Sequence, residues 1–238
     1  MMETSLHRDL KALYAGQGSR LEARLGPYRI DVISGDQLVE IQFGPLAAIR
    51  QKVQTLLKRH QVSVVKPIVA RKLLVKRASK GGAILQRRMS PKKSDVWDLF
   101  DDLVHFIRVF PHPRLTLEVL LVDIEEWRYP GHGRRRLRRA GDFQVEDQRL
   151  LAIRQSYRLR TAADLACLIS SPLAQPFHTR HLSQSLRIPV WTAQRVAYCL
   201  REAGATRVVG KRGNLHLYEF LHPFGLQQAG HVAAPSAG

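Results

Sequence analysis

The chain has 238 residues, 45% of them hydrophobic, which is enough for one large globular domain or two small ones with real cores. Its net charge of +18 and pI near 10.7 exceed what solubility needs, and basic residues recur along most of the chain, so nucleic acid is the natural polyanionic partner. No apolar leader opens MMETSLHRDL, no run reaches transmembrane length and no amphipathic helix joins a basic face to a bulky apolar one; this argues against a membrane and for a cytoplasmic setting.

Residues 4–15 predict a helix with Thr4 or Ser5 as N-cap and Leu6, Leu10, Leu13 and Tyr14 on one face. Residues 21–43, LEARLGPYRIDVISGDQLVEIQF, then read as three strands joined by two-residue turns at Gly26-Pro27 and Gly35-Asp36, because Gly supplies the positive φ such turns need. In that register Asp31 stands opposite Glu40, and Glu22 faces Asp31 from the other side. The three carboxylates form a row with Cβ atoms roughly 5 Å apart. Tyr28, Ile30, Val32, Val39, Ile41 and Phe43 fall on the opposite, apolar face, while Arg24, Arg29 and Gln42 share the acids' face. A row of like charges calls for a positive partner, and Mg²⁺ or Mn²⁺ suits carboxylate oxygens while keeping positions open for water and phosphate.

Pro45 opens a second helix to about residue 59, with Leu46, Ile49, Val53, Leu56 and Leu57 as its stripe, and residues 61–69 form a buried strand. This order of helix, three strands, helix and strand, with Asp on the second strand and Glu-x-Gln on the third, resembles the core of the PD-(D/E)xK, or restriction-endonuclease-like, nuclease superfamily over residues 3–70. The resemblance implies an αβββαβ core in which Asp31 and Glu40 hold a divalent metal. It implies a water-positioning role for Gln42, where the superfamily usually carries Lys; some restriction enzymes carry Gln at this place. Glu22 would complete or support the metal shell, and Lys11 or Lys52 on the flanking helices could supply the missing cation.

Residues 71–93, RKLLVKRASKGGAILQRRMSPKK, form a basic hairpin tipped by Lys80-Gly81-Gly82, in which Arg87, Arg88, Lys92 and Lys93 are placed to track a phosphate backbone. Ser94 caps an acidic helix over residues 95–110 whose four aspartates suit its dipole, and residues 114–127 read as a further long strand. Residues 131–158, carrying RRRLRR at 134–139, read as an exposed basic linker. His105, His112 and His132 lack zinc-ligand spacing, and Cys167 and Cys199 sit at apolar-compatible helix positions as reduced packing thiols.

Residues 161–170, 179–186 and 190–203 predict three helices, followed by a hairpin around Lys211-Arg212-Gly213-Asn214. The stretch SLRIPVWTAQRVAYCLREAGATRVVGKRGNLHLYEF resembles a winged helix-turn-helix domain. The resemblance places Trp191, Thr192, Gln194 and Arg195 toward a DNA major groove and Lys211 and Arg212 over phosphate. GATRVVGK at 204–211 is not a phosphate-binding P-loop, since its glycine spacing is one residue too long and the required Ser/Thr is Arg212.

The sequence therefore predicts an α/β chain: a restriction-endonuclease-like domain over 1–130 with extra strands and a helix, the linker, a winged helix over 159–222 and a loose tail over 223–238. The function it implies is a Mg²⁺- or Mn²⁺-dependent endonuclease acting on duplex DNA. The alternative is a nuclease fold that has lost catalysis and only binds DNA, as a regulator or architectural factor. A homodimer is compatible with either.

Overall fold

Helix α1 (Ser5–Tyr14) forms because Leu6 and Leu10 repeat one turn apart and have an apolar sheet to cover; both are almost wholly buried. The computed structural model describes residues 4–131, 142–169 and 173–221 and is a mixed α/β structure. Strands β1 (Arg20–Leu25), β2 (Tyr28–Ser34) and β3 (Gln37–Ile41) follow α1 as an antiparallel meander. Gly26 and Gly35, at φ 58° and 55°, supply the left-handed conformation their turns require. Ala23 pairs with Ile30 and Val32 with Val39, the registers the turns predict.

A 3-10 turn over Leu46–Ile49 leads into α2 (Arg50–Leu56), which returns the chain so that β4 (Gln61–Arg77) runs parallel to β3. Strand β6 (Leu115–Pro130) pairs with β4 in parallel along its other edge, and β7 (Phe143–Leu159) runs antiparallel to β6. Where β3 ends, β5 (Ile84–Met89) takes over the free edge of β4. The spatial order is β1-β2-β3-β4-β6-β7, with β5 on the outer end of β4.

Both faces of the sheet are covered. On one, Leu6 and Leu10 pack with Val32, Val39, Ile41, Val65, Leu120, Val122 and Ile124. On the other, Val53 and Leu56 from α2 and Leu99, Phe100 and Leu103 from the short α3 (Leu99–Leu103) pack on Ile30, Ile33, Leu38, Val64 and Leu117. The expected single apolar face of β2 is thus corrected, since Ile30 joins one layer and Val32 the other. The cause is local: the Asp31 carboxylate accepts the Ile41 N–H at 2.8 Å, replacing the ladder there. The expected helix over residues 95–110 is also shorter, because beyond α3 Phe106, Ile107, Val109 and Phe110 are all buried and wind into turns rather than leaving a polar helix face.

The C-terminal part contains α4 (Ala162–Cys167), α5 (Thr179–Leu186), α6 (Val190–Glu202), β8 (Thr206–Arg212) and β9 (Leu215–Phe220). Thr161 and Asp164 cap α4 reciprocally. Two domain expectations are corrected. Residues 143–159 of the expected linker are strand β7, hydrogen-bonded along β6, and the C-terminal helices share one core with the sheet: Leu165, Leu182, Val196 and Leu200 belong to the cluster that holds Phe100 and Leu117. The RRRLRR run at 134–139 and the tail at 223–238 lie outside the described residues. Among the described residues no helix is long and apolar enough to cross a membrane.

Candidate functional site

Asp31 lies in the middle of β2 and Glu40 near the end of β3; the ladder between the strands ends at Val32 and Val39, and beyond it the Asp31 carboxylate accepts the Ile41 N–H, which keeps the two acids close. Helix α1 brings His7 to the first acid, with Nε2 3.5 Å from Asp31 Oδ1, and α2 brings Lys52 to the second, with Nζ 2.5 Å from Glu40 Oε1. Lys52 also donates to the carbonyl of Arg29, 2.5 Å away, so its ammonium bridges β2 and β3. Glu22, on β1, is held by Lys11 from α1 and by Arg29. Both lysines that the sequence offered as the missing cation therefore reach the carboxylate row.

Each acid meets a different environment. Burial pushes the Asp31 carboxyl up, but hydrogen bonds from His7 and the Ile41 amide, with the charges of His7 and Lys52, outweigh it and hold it below its ordinary value. Glu40 is 5% exposed, and its burial, aided by the charge of Asp31, wins over Lys52 and raises its carboxyl to about 7. A buried carboxylate that one ammonium does not fully compensate is a place where a further cation gains. Among the described residues no group of three or more His, Cys, Asp or Glu side chains could enclose a metal ion. Two carboxylates nevertheless fit Mg²⁺, which is held through one or two such groups and keeps several waters.

Gln42 stands two residues beyond Glu40 with its side-chain amide donating to the Pro45 carbonyl at 3.1 Å. On the neighbouring strand Lys66, 6% exposed, is bound by Asp102 at 2.7 Å and by the carbonyls of Phe43 and Gly44. Neither His7 nor Lys66 was among the predicted site residues. A signal existed for each: His7 and Lys11 lie one helical turn apart on α1, and Lys66 interrupts an otherwise apolar strand.

The expected phosphate contacts divide between two regions. Arg87 and Arg88 are exposed on β5 and, as neighbours on a strand, point to opposite faces; Lys92 and Lys93 follow, also exposed. Arg87, Arg77 and Arg149 gather around the Trp127 ring at 5.9, 4.3 and 5.2 Å from its centroid. In the C-terminal part Trp191 is 51% exposed, Gln194 is exposed, and Lys211 and Arg212 are exposed at the β8–β9 turn. Thr192 is corrected: it is 5% exposed, because the buried stripe of α6 runs through Thr192, Ala193, Val196 and Leu200. Arg195 is partly engaged, lying over the Trp191 ring and 2.5 Å from Asp101 of α3.

The architecture is that of a mixed α/β protein in which Asp31 on β2 lies against His7 and Glu40 on β3 is paired with Lys52. The chain belongs to the family described as "Domain of unknown function (DUF8091)", whose model matches residues 4–160, from the start of α1 to the residue after β7. It is 29% identical over 221 residues to an "Uncharacterized protein" of Treponema pallidum (strain Nichols), an alignment covering 91% of this chain and 84% of that one. No solved structure matches the chain.

Proposed function

We propose that the protein is a metal-dependent endonuclease acting on DNA, built on a restriction-endonuclease-like core to which a winged-helix segment is fused. The observation that carries this reading is the proximity of Asp31 and Glu40 on neighbouring strands, with Asp31 accepting the Ile41 N–H and Lys52 on Glu40. The element order α1-β1-β2-β3-α2-β4 and the parallel return of β4 beside β3 support the core. The α5–α6 pair, the β8–β9 hairpin and the bridge between Phe177 and Tyr218 support the winged helix.

In this reading Asp31 and Glu40 hold Mg²⁺ or Mn²⁺. A divalent ion bound there supplies neutralisation of a phosphate and a more acidic water. His7 and the Ile41 amide orient Asp31, so that one carboxylate stays ionised. Lys52 is the cation beside the reacting phosphate that the Gln42 position does not provide, and Gln42, released from Pro45, is within the same sequence turn to orient water. Arg87, Arg88, Lys92, Lys93, Lys211 and Arg212 hold the phosphate backbone by charge alone.

A second reading, a nuclease fold that only binds DNA, is favoured by the same contacts, since Lys11, Arg29 and Lys52 already give Glu22 and Glu40 cationic partners. Nicking of supercoiled plasmid in Mg²⁺, in Mn²⁺ and in chelator separates the two. The nuclease nicks only with metal and loses nicking in Asp31→Asn and Glu40→Gln. Metal-dependent nicking that survives both substitutions would sink the site, whereas DNA binding without nicking in any metal would establish the second reading.

A further inference from the structure

We infer that the groove at the outer end of the sheet holds an unpaired nucleic-acid strand, which makes a duplex carrying a single-stranded tail the substrate class of the site above; the inference rests on that nucleic-acid reading. The groove has a volume of about 580 Å³ and is bounded by β4, β5, β6 and the start of β7. Strand pairing sets its chemistry. Lys76 pairs with Arg128, and Arg88 pairs with Leu74 two residues away, so all three cations share one face, opposite the face on which Arg87 and Trp127 lie. Among the described residues Asp142 is the single acid lining it.

One exposed ring completes the groove. Phe143 is 44% exposed and carries the Arg128 guanidinium 4.4 Å from its centroid, while Tyr129, the strand neighbour of Arg128, turns its hydroxyl to Gln144 Oε1 at 2.7 Å. An exposed ring beside a row of cations is how a sheet binds a single strand: bases stack on the aromatic face and the guanidinium, and phosphates follow the charges. A duplex cannot use the ring, because the faces of its bases are already stacked inside the helix. The volume, in the range of small-ligand sites, also suits one or two nucleotides rather than a duplex.

The test is fluorescence anisotropy in chelator, so that no cleavage occurs, with three labelled probes: a blunt duplex, the same duplex with a DNA tail, and one with an RNA tail. The protein is expected to bind the tailed duplexes about tenfold more tightly than the blunt one, as loss of one base–aromatic stack predicts. Phe143→Ala should erase most of that ratio, and Phe143→Tyr, which keeps the ring, should restore it. Arg88→Ala should lower the salt slope by roughly one on tailed probes. Equal affinity for blunt and tailed probes, or a ratio unchanged in Phe143→Ala, overturns the groove while leaving nucleic-acid binding intact. Failure to bind any probe at low salt overturns the nucleic-acid reading itself.

Discussion

Glu40→Gln is the substitution whose consequence the geometry fixes most fully. The carboxyl is 5% exposed, and burial raises it from its ordinary 4.5 to about 7. At ~1.36 kcal/mol per pH unit that difference corresponds to roughly 3 kcal/mol, already net of the attraction of Lys52. Because the folded-state value is the higher one, the folded chain binds the extra proton between these two values. The cost of ionising Glu40 is absent below about 4.5, grows as pH rises and is complete above about 7. Gln keeps the shape and cannot ionise. In chelator the stability of Glu40→Gln relative to the parent should therefore rise with pH, by roughly 3 kcal/mol between pH 4.5 and pH 8.

Urea denaturation of both proteins at a series of pH values reads this directly, since histidines elsewhere cancel in the difference. Excess Mg²⁺ should then reverse the order at pH 8. An ion bound only by the folded parent adds about 4.1 kcal/mol at a thousand times its Kd, more than the roughly 3 kcal/mol deficit, and adds nothing to the variant. A stability difference that stays flat across this range refutes the buried-charge argument. Equal stabilisation of both proteins by Mg²⁺ refutes Glu40 as the ligand.

Asp31 has the opposite sign: its folded-state carboxyl is held below the ordinary value, so Asp31→Asn should destabilise at neutral pH and the deficit should fade as pH falls through the acidic range, measured by the same denaturation series. Lys66→Met leaves Asp102 and two carbonyls without their buried cation and should cost about 3 to 5 kcal/mol in urea; a loss under about 1 kcal/mol would show that water replaces the ammonium. Arg195→Ala breaks a half-exposed pair with Asp101 and should cost at most about 1 kcal/mol of stability. Asp101→Asn, which frees Arg195, should tighten DNA binding, and unchanged affinity in filter binding would remove Arg195 from the interface.

The parts of this fold legible in the sequence are those fixed by turns and by strong periodicity. Two glycine turns set the meander register, so that Ala23 meets Ile30 and Val32 meets Val39, while the ladders skip the acids themselves, where Asp31 takes the Ile41 amide on its side chain. Helices α5 and α6 were equally readable from caps and breakers. Strand β7 was not. FQVEDQRLLAIRQSYRL is a polar edge strand, largely exposed, and register shifts along its pairing with β6 break the alternation that would have betrayed it. Thr192 misled for another reason: a helix-turn-helix pattern gives the helix but not its rotation, and here the α6 stripe buries Thr192 against the shared core. Of the acids' partners, Lys52 and Arg29 were among the sequence's candidates, whereas His7, which α1 brings to Asp31, was not.

The carboxylate row also shows why three acids in register need not act alike. Glu22 has two cations, Lys11 and Arg29, and its side chain is 31% exposed, so water and guanidinium screen whatever charge remains. Asp31 receives a backbone amide and His7, donors that hold a carboxylate ionised and aim it without adding the permanent charge of a second guanidinium. Glu40 is the deepest of the three and has one ammonium, which it shares with the Arg29 carbonyl. Electrostatic demand therefore concentrates between Asp31 and Glu40 and falls off toward Glu22. On the proposed nuclease reading, a divalent ion gains most where a buried carboxylate is undercompensated and a neighbouring one is already ionised, which favours the strand pair β2–β3 over β1. Glu22 is instead an anchor: through Lys11 it holds α1, and with it His7, against the sheet.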